Sequence, residues 1–166
     1  GRLFTCARPG RSLGPKVSPI SDDVVTAWVT GLPVSRQLHI VSLLGTKPDG
    51  LSEYSYYSFR GGHEPSDQRS NAPTFQQWLA LRFGTGRFVV IDFPTIDTES
   101  IEPRMLTDIC RRVTSLLVAS ADVLLVDSGG EGRTGKVGAT LRAVSMRYPI
   151  ARPPNRPMQS TAERGG

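Results

Sequence analysis

The 166-residue chain predicts an α/β fold, a mainly parallel central sheet flanked by helices in a three-layer single domain. Three observations predict it. Two short runs, His39–Leu44 and Val123–Val126, are continuously apolar, as strands buried on both faces are. From Pro103 a longer stretch carries Leu106, Ile109, Val113, Leu116 and Leu117 at spacings of three and four, one face of a helix. The segments also alternate between strand-like and helix-like patterns along the chain.

Taken in order, Ser21-Asp22-Asp23 reads as an N-cap before a short helix through Val24, Val25, Trp28 and Val29, ended by Gly31-Leu32-Pro33. His39–Leu44 is a buried strand stopped by Gly45 and Pro48. Glu53–Phe59 reads as a second strand because Tyr54, Tyr56 and Tyr57 are aromatic β-formers. A polar loop, Arg60–Ala72, follows, and its part from Gly61 to Asn71 is a candidate rim for a site. Pro73-Thr74 then opens a helix through Phe75, Trp78, Leu79 and Leu81. Phe88–Ile91 is a strand, Pro103 starts the long helix, and Val123–Val126 is the last strand. A Gly-rich loop leads into a final helix from Thr134 to about Arg147.

Composition narrows the function classes. No apolar run approaches the ~18–20 residues of a membrane span. Cys6 and Cys110 cannot make a disulfide framework, and His39 and His63 make no metal cluster, so no metal and no cofactor are expected. The net charge of +5 lies in the ends of the chain. Arg2, Arg8, Arg11 and Lys16 precede the first acid, and Arg147, Arg152, Arg156 and Arg164 stand against Glu163. The stretch between has twelve basic and fourteen acidic residues. A nucleic-acid partner wants a basic face on the fold, so this distribution argues against one. The chain is therefore divided into a flexible basic segment (1–19), a folded body (20–148) and a flexible Pro/Arg-rich tail (149–166), whose Arg152–Pro157 contains a PxxP that reads as extended tail, with an SH3-type ligand for a protein partner as the alternative. Free cysteines and no visible signal segment point to the cytoplasm. The chain begins at Gly1, as a processed form or a fragment would.

The chemistry concentrates after the last strand, in Val126-Asp127-Ser128-Gly129-Gly130-Glu131-Gly132-Arg133-Thr134-Gly135-Lys136. A glycine-rich turn between a buried strand and a helix points backbone N–H groups into a hollow, and the helix N-terminus adds positive potential, so the hollow favours an anion. Two nucleotide motifs overlap here and both fall short. Gly130-x-Gly132-x-x-Gly135 normally opens a dinucleotide fold with an acid about 20 residues on, whereas here a Pro-rich tail follows. Gly130–Lys136 fits GxxxxGK, but Val137 stands where the Mg²⁺-binding Ser or Thr belongs.

A third pattern fits better. Gly130, Arg133 and Thr134, between a strand and a helix, resemble the His-Cys-x5-Arg-Ser/Thr signature loop of the cysteine-dependent protein tyrosine and dual-specificity phosphatases. The resemblance implies that the amides of Ser128, Gly129, Gly130, Glu131, Gly132 and Arg133, with the Arg133 guanidinium, hold phosphoryl oxygens while a thiolate attacks in line. It also implies a general acid on a loop about 30 residues earlier. Asp97 lies 30 positions before Asp127, after Phe93-Pro94-Thr95-Ile96, and fills that place. The likeness covers residues 20–148 and is specific at the loop.

One departure governs the function. Six positions before Arg133 stands Asp127, not cysteine, and the preceding histidine is Val126. Ser128 is one position out of register. A carboxylate at the base of an anion nest accepts the loop N–H groups or pairs with Arg133. At an effective dielectric of ~20, two unit charges 4 Å apart repel by roughly 4 kcal/mol, so a phosphate dianion is opposed. The expectation is a phosphatase-like domain without thiol chemistry, a binding or regulatory module for a protein partner, with a phosphorylated protein or other anionic ligand as the candidate occupant of the loop. The alternatives are a phosphoester hydrolase using Asp127 or another nucleophile, with Asp97 as acid and Arg133 as clamp, and a P-loop-like nucleotide binder.

Overall fold

The computed structural model describes residues 1–9, 20–32, 37–44, 56–60, 73–95, 100–144 and 150–151. The fold is α/β with an all-parallel sheet. Its strands are β1 (Leu3–Ala7), β2 (Leu38–Leu44), β3 (Phe88–Thr95), β4 (Asp122–Asp127) and the two-residue β5 (Ile150–Ala151), in the spatial order β3-β2-β4-β1-β5. The helices are α1 (Asp22–Thr30), α2 (Tyr56–Phe59), α3 (Phe75–Phe83), α4 (Pro103–Val118) and α5 (Arg133–Val144).

The period-two alternation of the central strands builds a core on each face. From β2, Leu38, Ile40 and Leu44 point to one side; from β4, Leu124 and Val126 join them, and α1, α2 and α3 cover them with Val25, Val29, Tyr56, Phe59, Phe75 and Trp78. Val41 and Leu43, with Val123 and Leu125, face the other side and meet Ile109, Val113, Leu116 and Leu117 of α4 and Val137 and Leu141 of α5. The long-helix stripe read from the sequence is thus the buried stripe of α4, with Leu106 half-buried at its margin.

Local signals set several ends. Thr74 caps α3 in a capping box: its hydroxyl accepts from the Gln77 N–H at 3.1 Å and the Gln77 side chain accepts from the Thr74 N–H at 2.8 Å. Pro103 opens α4, and the Glu102 side chain accepts from the Met105 N–H at 2.9 Å. Ser21 does stand at the N-cap of α1, although its side chain makes no capping hydrogen bond.

Three expectations are corrected. Residues 3–7 are a strand rather than part of a flexible segment: β1 runs parallel to β4 from Leu3↔Val123 to Ala7↔Asp127. The apolar faces of Leu3 and Phe4, both buried, hold it there, and Arg2 pairs with Asp122 at 2.6 Å beside its start. Similarly, Ile150 and Ala151, assigned to the tail, pair with Leu3 and Phe4. Tyr56–Phe59 is one turn of helix, not a strand. The spacing of three puts the Tyr56 and Phe59 rings on one side, where Tyr56 stacks on Trp78 (4.3 Å between centroids) and Phe59 on Phe75 (3.8 Å). Aromatic packing outweighs β propensity in this segment. The remaining parts of both end segments, Glu53 and Tyr54, and the loop from Gly61 to Asn71 lie outside the described residues.

At the border of the sheet, β3 extends past Ile91 to Thr95 and includes Pro94. The Arg87 carbonyl accepts from Leu38, so the odd residues of β3 address β2 and the even ones face away. On that outer side the Gln76 carboxamide of α3 accepts from the Val90 N–H at 2.7 Å and donates to the Phe88 carbonyl at 3.2 Å. Pro94 lies past the shift in register between Asp92 and Thr95, and it has no N–H to offer a neighbouring chain on either side.

Among the described residues no helix is long and apolar enough to cross a membrane.

Candidate functional site

The crossovers decide where a site forms. After β1 the chain departs through α1 to one face of the sheet, and after β4 it departs through α5 to the other. β1 and β4 are neighbours, so their carboxyl ends border a switch point, the place where open α/β sheets form a crevice. The loop from Asp127 to Gly132 occupies it.

Backbone contact with β1 fixes the loop. The Arg8 N–H donates to the Asp127 carbonyl at 2.9 Å, continuing the ladder past Ala7. Gly130 has φ of +73° and lies directly on β1: a Cβ there would come within 2.4 Å of the Ala7 nitrogen and 2.8 Å of the Cys6 carbonyl carbon. Both the left-handed conformation and the close approach require glycine. Gly130→Ala is therefore expected to destabilise the protein by about 2 kcal/mol, read as a lowered urea midpoint at unchanged slope. Gly132→Ala, with no atom within 4 Å of its added Cβ, is the matched control and is expected to cost less than half as much.

Asp127, 1% exposed, sits at the end of β4 with its carboxylate turned into the loop. Oδ1 accepts from the Gly129 N–H at 2.8 Å and from the Gly130 N–H. Oδ2 accepts from the Thr134 N–H at 3.0 Å and from the Thr134 hydroxyl at 3.3 Å. A carboxylate has about four lone-pair directions, and four donors use them. Two of these donors lie at the glycine turn and two at the first turn of α5, where the helix N-terminus also favours negative charge. Thr134 is wholly buried, so its hydroxyl is dedicated to this contact.

Arg133 is buried as well, and its guanidinium reaches across the carboxyl ends of the neighbouring strands. Nη1 donates to the Leu43 carbonyl at 2.9 Å and the Thr95 carbonyl at 2.8 Å, and Nη2 donates to the Ser128 hydroxyl at 3.0 Å. The Thr95 hydroxyl donates to the same Leu43 carbonyl. This knot sits where the β2–β3 register shifts between Ser42 and Leu44, and it joins the loop, β2 and β3. The expected charge partner for Asp127 was either the loop amides or Arg133; the amides of Gly129, Gly130 and Thr134 take it. Glu131 and Lys136 are exposed at the outer surface of the turn and of α5, and Val137 is packed in the core below.

The loop residues Asp127, Ser128, Gly129, Gly130, Glu131, Gly132, Arg133 and Thr134 are thus together at one switch point, while Asp97 lies outside the described residues. Leu43 and Thr95, the carbonyl anchors of Arg133, have no sequence signal of their own, since any residue supplies a carbonyl. Arg8, buried beside the loop, was assigned to the basic segment and escaped notice for that reason.

Cys6 also comes close in the fold. One register row runs Cys6, Val126, Ser42, Asp92 across β1, β4, β2 and β3. Burial, together with the charge of Asp127, pushes the Cys6 thiol up to about 12. A thiol held neutral in this way is a poor nucleophile. Cys110 lies on α4, on the other side of the sheet, and burial raises it too. At the far end of the row, burial raises Asp92 above the usual carboxylate range, opposed by a hydrogen bond from Ser42. Among the described residues no group of three or more His, Cys, Asp and Glu side chains is arranged to hold a metal ion.

Comparison with family models, curated proteins and solved structures found no match to this chain.

Proposed function

We propose that this chain is a tyrosine/dual-specificity-phosphatase-like domain that has lost the family's chemistry and acts as a binding or regulatory module. One observation carries the reading: the loop holds its own anion. The four donors that the Gly129, Gly130 and Thr134 positions direct inward end on the Asp127 carboxylate. A phosphoryl group would have to displace a buried charge of its own sign. The Arg133 guanidinium, the other group such a ligand needs, is tied to the carbonyls of Leu43 and Thr95. The hydrolase alternative is weakened by the same contacts. A carboxylate whose lone pairs are engaged is a poor nucleophile, and Ser128 lends its hydroxyl to Arg133. Nucleotide binding through a P-loop is weakened by the buried Val137 and by Lys136 standing exposed on α5. The module then meets its protein partner on its surface or through its end segments, in a soluble compartment such as the cytoplasm, rather than through a phosphate seated in the loop.

Hydrolysis of p-nitrophenyl phosphate tests the reading on three proteins shown to be folded by circular dichroism. The expected result is no turnover by the wild type or by Arg133→Ala, and measurable turnover by the double replacement Val126→His with Asp127→Cys, which restores both signature residues. Wild-type turnover abolished by Arg133→Ala would make the protein an enzyme with an unusual nucleophile and overturn the proposal. Silence of all three would instead remove the phosphatase resemblance.

A further inference from the structure

The amino-terminal edge of the sheet, opposite the loop, holds an imidazole in an unusual setting. His39 is the second residue of β2, a strand with a neighbour on each side, and it lies between Val89 of β3 and Val123 of β4. Its Nδ1 is buried and has no hydrogen-bond partner among the described residues. The backbone of Asp122 favours the protonated ring. The charged groups around it come from three elements. Arg112 approaches from α4, and Asp122 from the start of β4. The Asp122 carboxylate is itself engaged by Arg2, just before β1, which donates from Nη2 at 2.6 Å. The β3 neighbour, Val89, carries no charge.

We propose that His39 is an acid-sensitive latch: protonation places a second cation beside Arg112 and a buried N–H with no acceptor at Nδ1, and so loosens the sheet where β2 meets β4. A neutral imidazole tolerates the site, because an unpartnered nitrogen lone pair costs less to bury than an unpartnered charged N–H. Burial is the main cause holding His39 below the ordinary histidine value, Arg112 adds to it, and the Asp122 backbone contact opposes both. The folded state therefore binds a proton less readily than the unfolded chain does. Stability is fully present above the unfolded value of about 6.5 and is lost as pH falls from there through the lower folded value. Across that window the folding equilibrium shifts by up to about tenfold per pH unit, and below it the dependence on His39 flattens. The Arg2–Asp122 pair contributes in a separate window, because Asp122 is held below the usual carboxylate range and loses its effect only as pH falls through that lower value.

The test is a nuclear magnetic resonance titration of the two imidazoles of the full chain, joined to urea midpoints between pH 5 and 7.5. His63→Gln assigns the two signals, so the titration needs no change at His39. The expected midpoint for His39 is below 6.5, and Arg112→Gln is expected to raise it. His39→Val, which extends the valines on either side, is expected to flatten the fall in urea midpoint below pH 6.5, with His39→Gln as a second variant if the valine protein does not fold. A His39 midpoint at or above 6.5 would overturn the proposal, and so would the same acid-side fall in both variants as in the wild type.

Discussion

Replacing Asp127 by alanine is expected to remove about 4 kcal/mol of stability, seen as a large drop in urea midpoint. The substitution deletes four hydrogen bonds at once and leaves the N–H groups of Gly129, Gly130 and Thr134 directed at an empty hollow. Each bond is to a charged acceptor, and the Thr134 pair lies in the buried interior, so the losses are at the upper end for single contacts. Asp127→Asn, nearly the same in shape, is expected to cost about 2 kcal/mol, because its amide presents a donor to one of the two donor pairs. The experiment also probes function. With the carboxylate gone, inorganic phosphate is expected to raise the midpoint of Asp127→Ala in proportion to the logarithm of its concentration and to leave the wild type unmoved. A wild type stabilised to the same degree would mean that the loop accepts a phosphate despite its own carboxylate. A midpoint unchanged by Asp127→Ala would mean that the contacts in the loop carry little of the stability.

The second large effect is expected at Arg133. Arg133→Ala removes a buried guanidinium from the Leu43 and Thr95 carbonyls and from Ser128, and leaves a void among β2, β3 and the loop. The expected loss is about 3 kcal/mol, combining unsatisfied carbonyls with lost packing of the side-chain stem. Arg133→Lys is expected to restore less than half of it. A lysine has one ammonium and cannot imitate a planar fork that bonds β2 and β3 through one nitrogen and Ser128 through the other. Ser128→Ala, which touches only the second arm, is expected to cost no more than about 1 kcal/mol. Arg133→Lys equal to the wild type would show that charge alone, without the fork, holds the strands.

These two residues were found in the sequence for a different reason from the one the structure gives. The glycine spacing and the hydroxyl after Arg133 located the loop, and a strand, a glycine turn and a helix start predicted inward-pointing N–H groups, which end on Asp127. That Asp127 fills the loop followed from one residue standing in a six-residue register. The anchoring of Arg133 could not be read, because its partners are carbonyls of residues 90 and 38 positions away. The fold shows the same division. β4 and α4 were legible because a run of Val and Leu, or a stripe at helical spacing, states its own burial. β1 was not, since five residues among arginines and prolines give too short a pattern, and its partner β4 lies about 120 positions on. Tyr56–Phe59 was misread where the ring contacts, not the residue types, set the backbone.

The Gln76 carboxamide on β3 bears on how the molecule behaves in company. The outermost long strand of a sheet ordinarily offers a row of bare amides and carbonyls to any extended chain that drifts past, and such contacts seed aggregates. In this protein a helix lends a side chain that imitates one peptide unit of a further strand, and a proline follows it with no amide to offer. Resistance to such contacts is thus written partly into α3, in a residue that contributes to neither core and lies far in sequence from the loop that Asp127 fills.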